Sequence, residues 1–242
     1  MEHNSCGGRR QTHFALAAVL VGLLLPGSAF AETVWNLASD WSTTINPNGP
    51  WSYNQGASPA INFMTWDTSD FDPGLPSWTT AGSVPIWTLY SGETYQHGSF
   101  DALTGDVITH TDHNDLSNVT WTSPIEGGID ITGDAWMPRY AGDPRDNHWA
   151  LYLNTTLLAS GDIFSYSTGR TTRANPSSFD SSVVVVQKGD VVKLEFTTII
   201  HGNGDFVGID LNIDEVPEPA TVLLLAGSVL LLAAKFHRSK RA

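Results

Sequence analysis

Between Trp136 and Trp149 the chain reads WMPRYAGDPRDNHW. Sugars present C–H faces that stack on aromatic rings, and their hydroxyls bond to carboxylates, amides and guanidiniums. Trp136, Arg139, Tyr140, Arg145, Asp146 and Asn147 supply all of these groups in one short stretch. Pro138, Gly142 and Pro144 make the stretch a loop, which places a candidate saccharide site at the rim of the strands that flank it. A plainer reading stands beside it. Trp149 alternates with Leu151 as a core residue would, and Arg145 and Asp146 pair at the surface.

Other clusters promise less chemistry. His110, Asp112, His113 and Asp115 could ligate zinc or calcium, but their spacing fits no recognised site and the stretch reads as a polar loop. Asp210, Asn212 and Asp214 begin like an EF-hand loop. Glu215 stands where the glycine is needed, however, and Thr221 where the bidentate glutamate belongs. An outward strand face explains them better. No cofactor is expected, and a structural calcium has no support. Asp67, Asp70 and Asp72 before Pro73-Gly74 read as turn chemistry.

Catalysis finds no motif: G-x-S-x-G, H-E-x-x-H and a P-loop are all missing. Glycoside hydrolysis needs only two well-placed carboxylates, which an Asp-rich sequence does not reveal. Between residues 32 and 216 the glutamates are Glu32, Glu93, Glu126, Glu195 and Glu215, and none calls for an acid–base role. The chain is read as non-enzymatic, with a polysaccharide-acting enzyme as the alternative.

The elements that must position these residues are strands. Apolar and polar residues alternate through Val192–Phe196, Val207–Ile213, Ile129–Thr132 and Trp149–Leu153, the pattern of half-buried antiparallel strands. Ser182 to Gln187 holds four consecutive valines and suits a strand buried on both faces. Lys188-Gly189-Asp190 is a turn into the next strand, and Asp214-Glu215 is an acidic turn. Many short strands joined by Gly-, Pro- and Asn-rich turns predict an all-β antiparallel sandwich or jelly roll.

Charge excludes one class of partner. Residues 32–216 carry six basic and twenty-three acidic side chains, a net of −17. Such a surface repels phosphate backbones, so nucleic acid is not a partner. The single cysteine, Cys6, lies in the N-terminal segment.

That segment has the parts of a signal peptide. Arg9 and Arg10 form a basic start, Phe14–Leu25 an apolar stretch, and Ala29-Phe30-Ala31 a cleavage site before Glu32. Signal peptidase is the expected partner. At the other end Thr221–Ala234 is an apolar run. As a helix it would reach about 21 Å, short of a hydrocarbon core of about 30 Å. Lys235, Arg238, Lys240 and Arg241 follow it as a stop-transfer flank with the body outside the cytoplasm. Pro217 and Pro219 force an extended linker before it. The expected division is a signal peptide over 1–31, an exported β domain over 32–213, and a C-terminal segment over 214–242 with a short transmembrane helix.

Val216-Pro217-Glu218-Pro219-Ala220, the short apolar span and the basic terminus resemble the PEP-CTERM sorting signal of Gram-negative bacteria. The resemblance implies recognition by an exosortase-type processing enzyme. It also implies transient inner-membrane anchoring and arrival at the cell surface or exopolysaccharide matrix. A permanent plain membrane anchor is the alternative. Ser42–Tyr53, "VVVVQKGDVVKLEF" and "GNGDFVGIDLNI" resemble an exported bacterial β module with a galactose-binding-like jelly-roll look. Thr65–Asp115 matches less well and is expected to hold inserted loops. The resemblance implies a structural or weakly carbohydrate-binding role in the matrix of a biofilm. Some ice-binding proteins carry the same tail, but this chain lacks their regular Thr-rich repeats.

Overall fold

The computed structural model describes residues 33–66, 70–80, 84–111, 116–139, 144–165, 169–200 and 205–216. The signal segment, its cleavage site at Ala29, Ala31 and Glu32, the tail beyond Val216, and Tyr140 lie outside them. So do Asp112, His113 and Asp115.

Every regular element among the described residues is a strand. In chain order they begin with β1 (Val34–Asn36), β2 (Trp51–Gln55), β3 (Ser58–Pro59), β4 (Asn62–Trp66), β5 (Phe71–Asp72) and β6 (Leu75–Thr79). There follow β7 (Ile86–Leu89), β8 (Thr94–Tyr95), β9 (Val107–His110), β10 (Ser117–Thr122) and β11 (Gly127–Trp136). The chain closes with β12 (Asn147–Leu153), β13 (Thr156–Ile163), β14 (Ser177–Val186), β15 (Val191–Thr198) and β16 (Phe206–Val216).

Two antiparallel sheets form a sandwich. The first runs β14-β11-β16-β9-β7-β6-β4, with β1 also paired to β16, and the second runs β13-β12-β15-β10-β2-β3. From β9 onward the chain crosses repeatedly between them, as in a jelly roll. The inward residues of both sheets make one core. Trp35 meets Trp121 edge-on at 5.0 Å, and Trp149 meets Phe179 at 5.1 Å, both across the gap between sheets. β15 shows how sequence sets this layer. Val192, Leu194 and Phe196 are buried, and Val191, Lys193 and Glu195 between them are not.

Two expectations are corrected. The four-valine stretch is not buried on both faces: β14 is an edge strand, with Val183 63% and Val185 68% exposed. Val183 also has φ 53°, at an irregularity in the pairing with β11, and its N–H donates to Asp130 Oδ1 at 2.6 Å. Bulges of this kind blunt sheet edges. Second, Asp214 and Glu215 are not a turn but part of β16, opposite Asp130 and Ile129. Thr65–Asp115, expected to hold inserted loops, also contributes β6, β7 and β9 to the first sheet.

That middle segment also builds a second cluster. Phe71, Leu75, Ile86, Tyr90, Tyr95, Ile108 and Phe206 bury one another, with Phe100 and Ala102 packed against them. Phe206 alternates with the inward Val207, so this cluster lies on the outer face of the first sheet.

Candidate functional site

Strand directions bring one set of ends together. His110 pairs with Phe206, Trp136 with Gly208, and Asn147 with both Ile163 and Thr198. The ends of β9, β11, β13 and β15 and the starts of β12 and β16 therefore share one rim. The Trp136–Trp149 stretch joins β11 to β12 there, as the sequence implies.

The chain leaving β11 is fixed on both sides. Met137 N donates to Thr171 O at 3.2 Å, and Asp101 N donates to Pro138 O at 2.7 Å. Arg139 forms a bridge with Phe100. Trp136 is 2% exposed, so its ring is framework and not a stacking platform. The ring rests on Gly208, where a Cβ would come within 2.3 Å of it. Its Nε1 donates to Asp101 O at 2.9 Å, and the Arg173 guanidinium lies 4.8 Å from the ring centroid. Trp149 is likewise buried, donating to Ser177 Oγ at 2.8 Å.

Asn147 is fully buried, accepting from Thr111 Oγ1 at 3.0 Å and donating to Arg145 O at 3.3 Å. Arg145 is 3% exposed, and its N–H donates to Ser165 Oγ at 2.6 Å. Asp146 Oδ1 accepts from Ser165 N at 3.0 Å and from Ser165 Oγ at 3.1 Å. Asp146 thus anchors a neighbouring loop.

What the sequence did not bring together is Arg170 and Arg173 with Arg139 and Arg145. All four between residues 32 and 216 sit at this rim. Arg139 lies 5.5 Å from the Tyr95 ring centroid. Arg170 reaches Asp101 at 4.0 Å, and Arg173 pairs with Asp106 while its N–H donates to Asp101 Oδ2 at 3.3 Å. Burial pushes the Tyr95 phenol up. The Arg139 and Arg145 guanidiniums pull it part of the way back, and the Asp70 carboxylate adds to the rise. Arg170 and Arg173, missed from sequence, reach Asp101 and, for Arg173, the Trp136 ring only through the fold; no local signal marks them.

Arg139, Arg170 and Arg173 therefore place planar cationic donors beside the partly buried carboxylates of Asp101 and Asp106, groups that can hydrogen-bond hydroxyls. No group of three or more His, Cys, Asp or Glu side chains is placed to hold an ion among the described residues. His110 Nδ1 lies 2.7 Å from Thr111 O, and its ring packs 4.5 Å from that of Phe206. Asp210 and Asn212 lie on a strand face, joined at 3.3 Å.

No family model matches the chain. No curated protein matches it either. Among solved structures, it is similar to the CBM36-1 domain of a multidomain xylanase from the hindgut metagenome of Trinervitermes trinervoides. The identity is 14%, over 52% of this chain and 89% of that one, at TM-score 0.30. A family 35 carbohydrate binding module from Clostridium thermocellum shares 15% identity over 52% of this chain and 90% of that one, at TM-score 0.29. The secreted serine protease VesC from Vibrio cholerae shares 10% over 52% and 24%, at TM-score 0.30. Likeness this distant does not say what this chain binds.

Proposed function

We propose that the chain is an exported, surface-sorted protein that works without catalysis. It holds to polysaccharide of the extracellular matrix through its sandwich, with the arginine-lined rim as one contact surface. The observation that carries the sorting reading is the motif itself, Val216-Pro217-Glu218-Pro219-Ala220, followed by a short apolar run and a basic terminus. Pro217 and Pro219 cannot continue a strand ladder and favour extended chain. A protease that reads sequence needs an extended segment.

The test replaces Pro217-Glu218-Pro219 with alanines. The altered chain is expected to stay uncut in the inner membrane with its body outside. Arrival at the cell surface at normal size sinks the sorting reading. Glycan-array binding and turnover assays on the same glycans address the body: turnover would replace the non-catalytic reading with an enzymatic one.

A further inference from the structure

The outward face of the first sheet changes character along its length. Across the β11–β16 ladder its pairs are Asp134 with Asp210, Thr132 with Asn212, Asp130 with Asp214, and last Gly128 with Val216. On β14 the same face passes from Ser178 and Asp180 to Val183 and Val185. The polar rows thus end in an apolar one, Val185–Gly128–Val216. A Cβ on Gly128 would lie 3.4 Å from Val216 Cβ and 3.9 Å from Val183 Cγ1, so these two valines flank the glycine on one face. Val183, Val185 and Val34 are each more than half exposed, and Val34 stands beside Asp214 on β1. Single exposed valines are ordinary, but a cluster confined to one end of an otherwise acidic face marks a contact surface.

This row is also where the chain leaves for its tail. Five steps of chain join Val216 to Thr221, the first residue of the apolar run Thr221–Ala234. Fully extended, they reach about 17 Å. On the reading that the run spans the inner membrane as a helix, it adds about 21 Å above Lys235. Val216 then stands at most about 38 Å from the cytoplasmic edge of a hydrocarbon core about 30 Å thick. The excess of about 8 Å is the depth of the headgroup layer. Tilt of the helix or a bend in the linker only lowers Val216 further. So short a span keeps the valine end of the sheet at the membrane surface.

We infer that this apolar row is a membrane-docking surface: Val183, Val185 and Val216, with Val34 beside them, rest in the headgroup layer of a zwitterionic phospholipid membrane and fix the body's orientation while the tail is attached. The arginine rim lies at the opposite ends of β11 and β16, so it then faces away from the membrane. Charge at the valine end is mixed. Lys188 and Glu126 are exposed in the connections that follow β14 and precede β11, Glu215 adjoins Val216, and Asp130 and Asp214 stand one row back. In an acidic body that mixture suits headgroups of no net charge better than an anionic surface. The inference rests on the sorting reading, in which the tail is held in the inner membrane with the body outside.

The experiment places the full-length chain in phosphatidylcholine nanodiscs and reads the relaxation of methyl resonances by lipid-borne nitroxides. A headgroup nitroxide is expected to relax the methyls of Val183, Val185 and Val34 several-fold faster than those of Leu103, which is exposed beside the rim. Inserting about twenty Gly and Ser residues between Val216 and Pro217, a span of about 25 Å, frees the body from its short tether. The valine methyls should keep their advantage over Leu103 in that variant. Adding Val183→Ser and Val185→Ser should abolish it at Val34 while the near-ultraviolet circular dichroism stays that of the native protein. If the long linker alone removes the difference, or the serine changes leave Val34 as it was, the docking surface is wrong and the anchored reading survives. Contacts between differently labelled copies through these valines, without the lipid effect, assign the row to a second copy and also overturn it. If a nitroxide deep in the acyl layer leaves Leu223, Leu224 and Leu225 untouched, the tail does not span the membrane. The anchored reading then falls, and this surface with it.

Discussion

The two apolar clusters of this molecule are made by different means. The main one lies between the sheets, and its members arrive in strict alternation from long strands, as in Val192, Leu194 and Phe196. The second lies outside the first sheet and is mostly aromatic. Phe71 meets Tyr95 at 5.0 Å, Phe100 at 5.2 Å and Phe206 at 5.7 Å. Its members come largely from short strands and irregular chain between residues 70 and 106. The difference teaches that the outer layer uses the first sheet as its floor, through Leu75, Ile86, Ile108 and Phe206. The arginine rim depends on that layer, because Arg139 covers Tyr95 and Arg173 leans on Asp101 and Asp106.

The sharpest break would come from the main core. Trp121 is fully buried, and Trp121→Ala is expected to cost about 4 kcal/mol and lower protection from hydrogen exchange in both sheets. Phe71 is equally buried. Phe71→Ala should cost about 3 kcal/mol but concentrate its loss of protection in residues 84–111. Equal loss of protection throughout the second sheet would refute the layered picture.

Gly208 probes the seam between the two regions. A Cβ there meets the Trp136 ring at 2.3 Å, so Gly208→Ala should destabilise by about 2 kcal/mol in urea unfolding and displace the indole. An unchanged Trp136 fluorescence spectrum would count against the contact.

The smallest effect separates the tyrosines of the two clusters. Burial raises the phenol of Tyr53, with the Asp40 carboxylate adding to it, and burial raises Tyr95 as well. A folded pKa above the unfolded value means that this contribution is complete below about pH 10 and is lost as pH rises through the folded value. Tyr95 Oη has no hydrogen-bond partner among the described residues. Tyr95→Phe should therefore change stability at pH 7 by less than about 0.5 kcal/mol, and the altered protein should lose less stability than the parent between pH 9 and 12. A larger loss at pH 7 would mean that the hydroxyl is bonded.

Legibility follows the same division. Alternation exposed β15, the inner half of β11 and much of β16, because a strand with one face in the core must write period two into its residues. It misread β14, since Val183 and Val185 look like core to any local test, and only the sheet order makes that strand an edge. At the rim, the Trp136–Trp149 stretch was legible as a loop between strands. That its tryptophans and Asn147 are structural was legible only in part, through the alternation of Trp149 with Leu151. Arg170 and Arg173 were not, because their approach to Asp101 depends on chain brought from more than sixty residues away. The valine row on the first sheet escaped for a related reason. Register, which aligns Val185 with Gly128 and Val216, is a property of pairs of strands and not of any one of them.

β16 reaches from the rim at Phe206 to Val216, where Glu215 N donates to Thr33 O at 2.9 Å. β11 borders it from Gly208 to Val216, and β9 and β1 border its other side. A force drawn through Val216 along the strand, against a ligand gripped elsewhere on the body, would load those ladders in shear. Their hydrogen bonds would share the load instead of opening one at a time. The strand that leads into the tail is thus also the one best placed to carry tension.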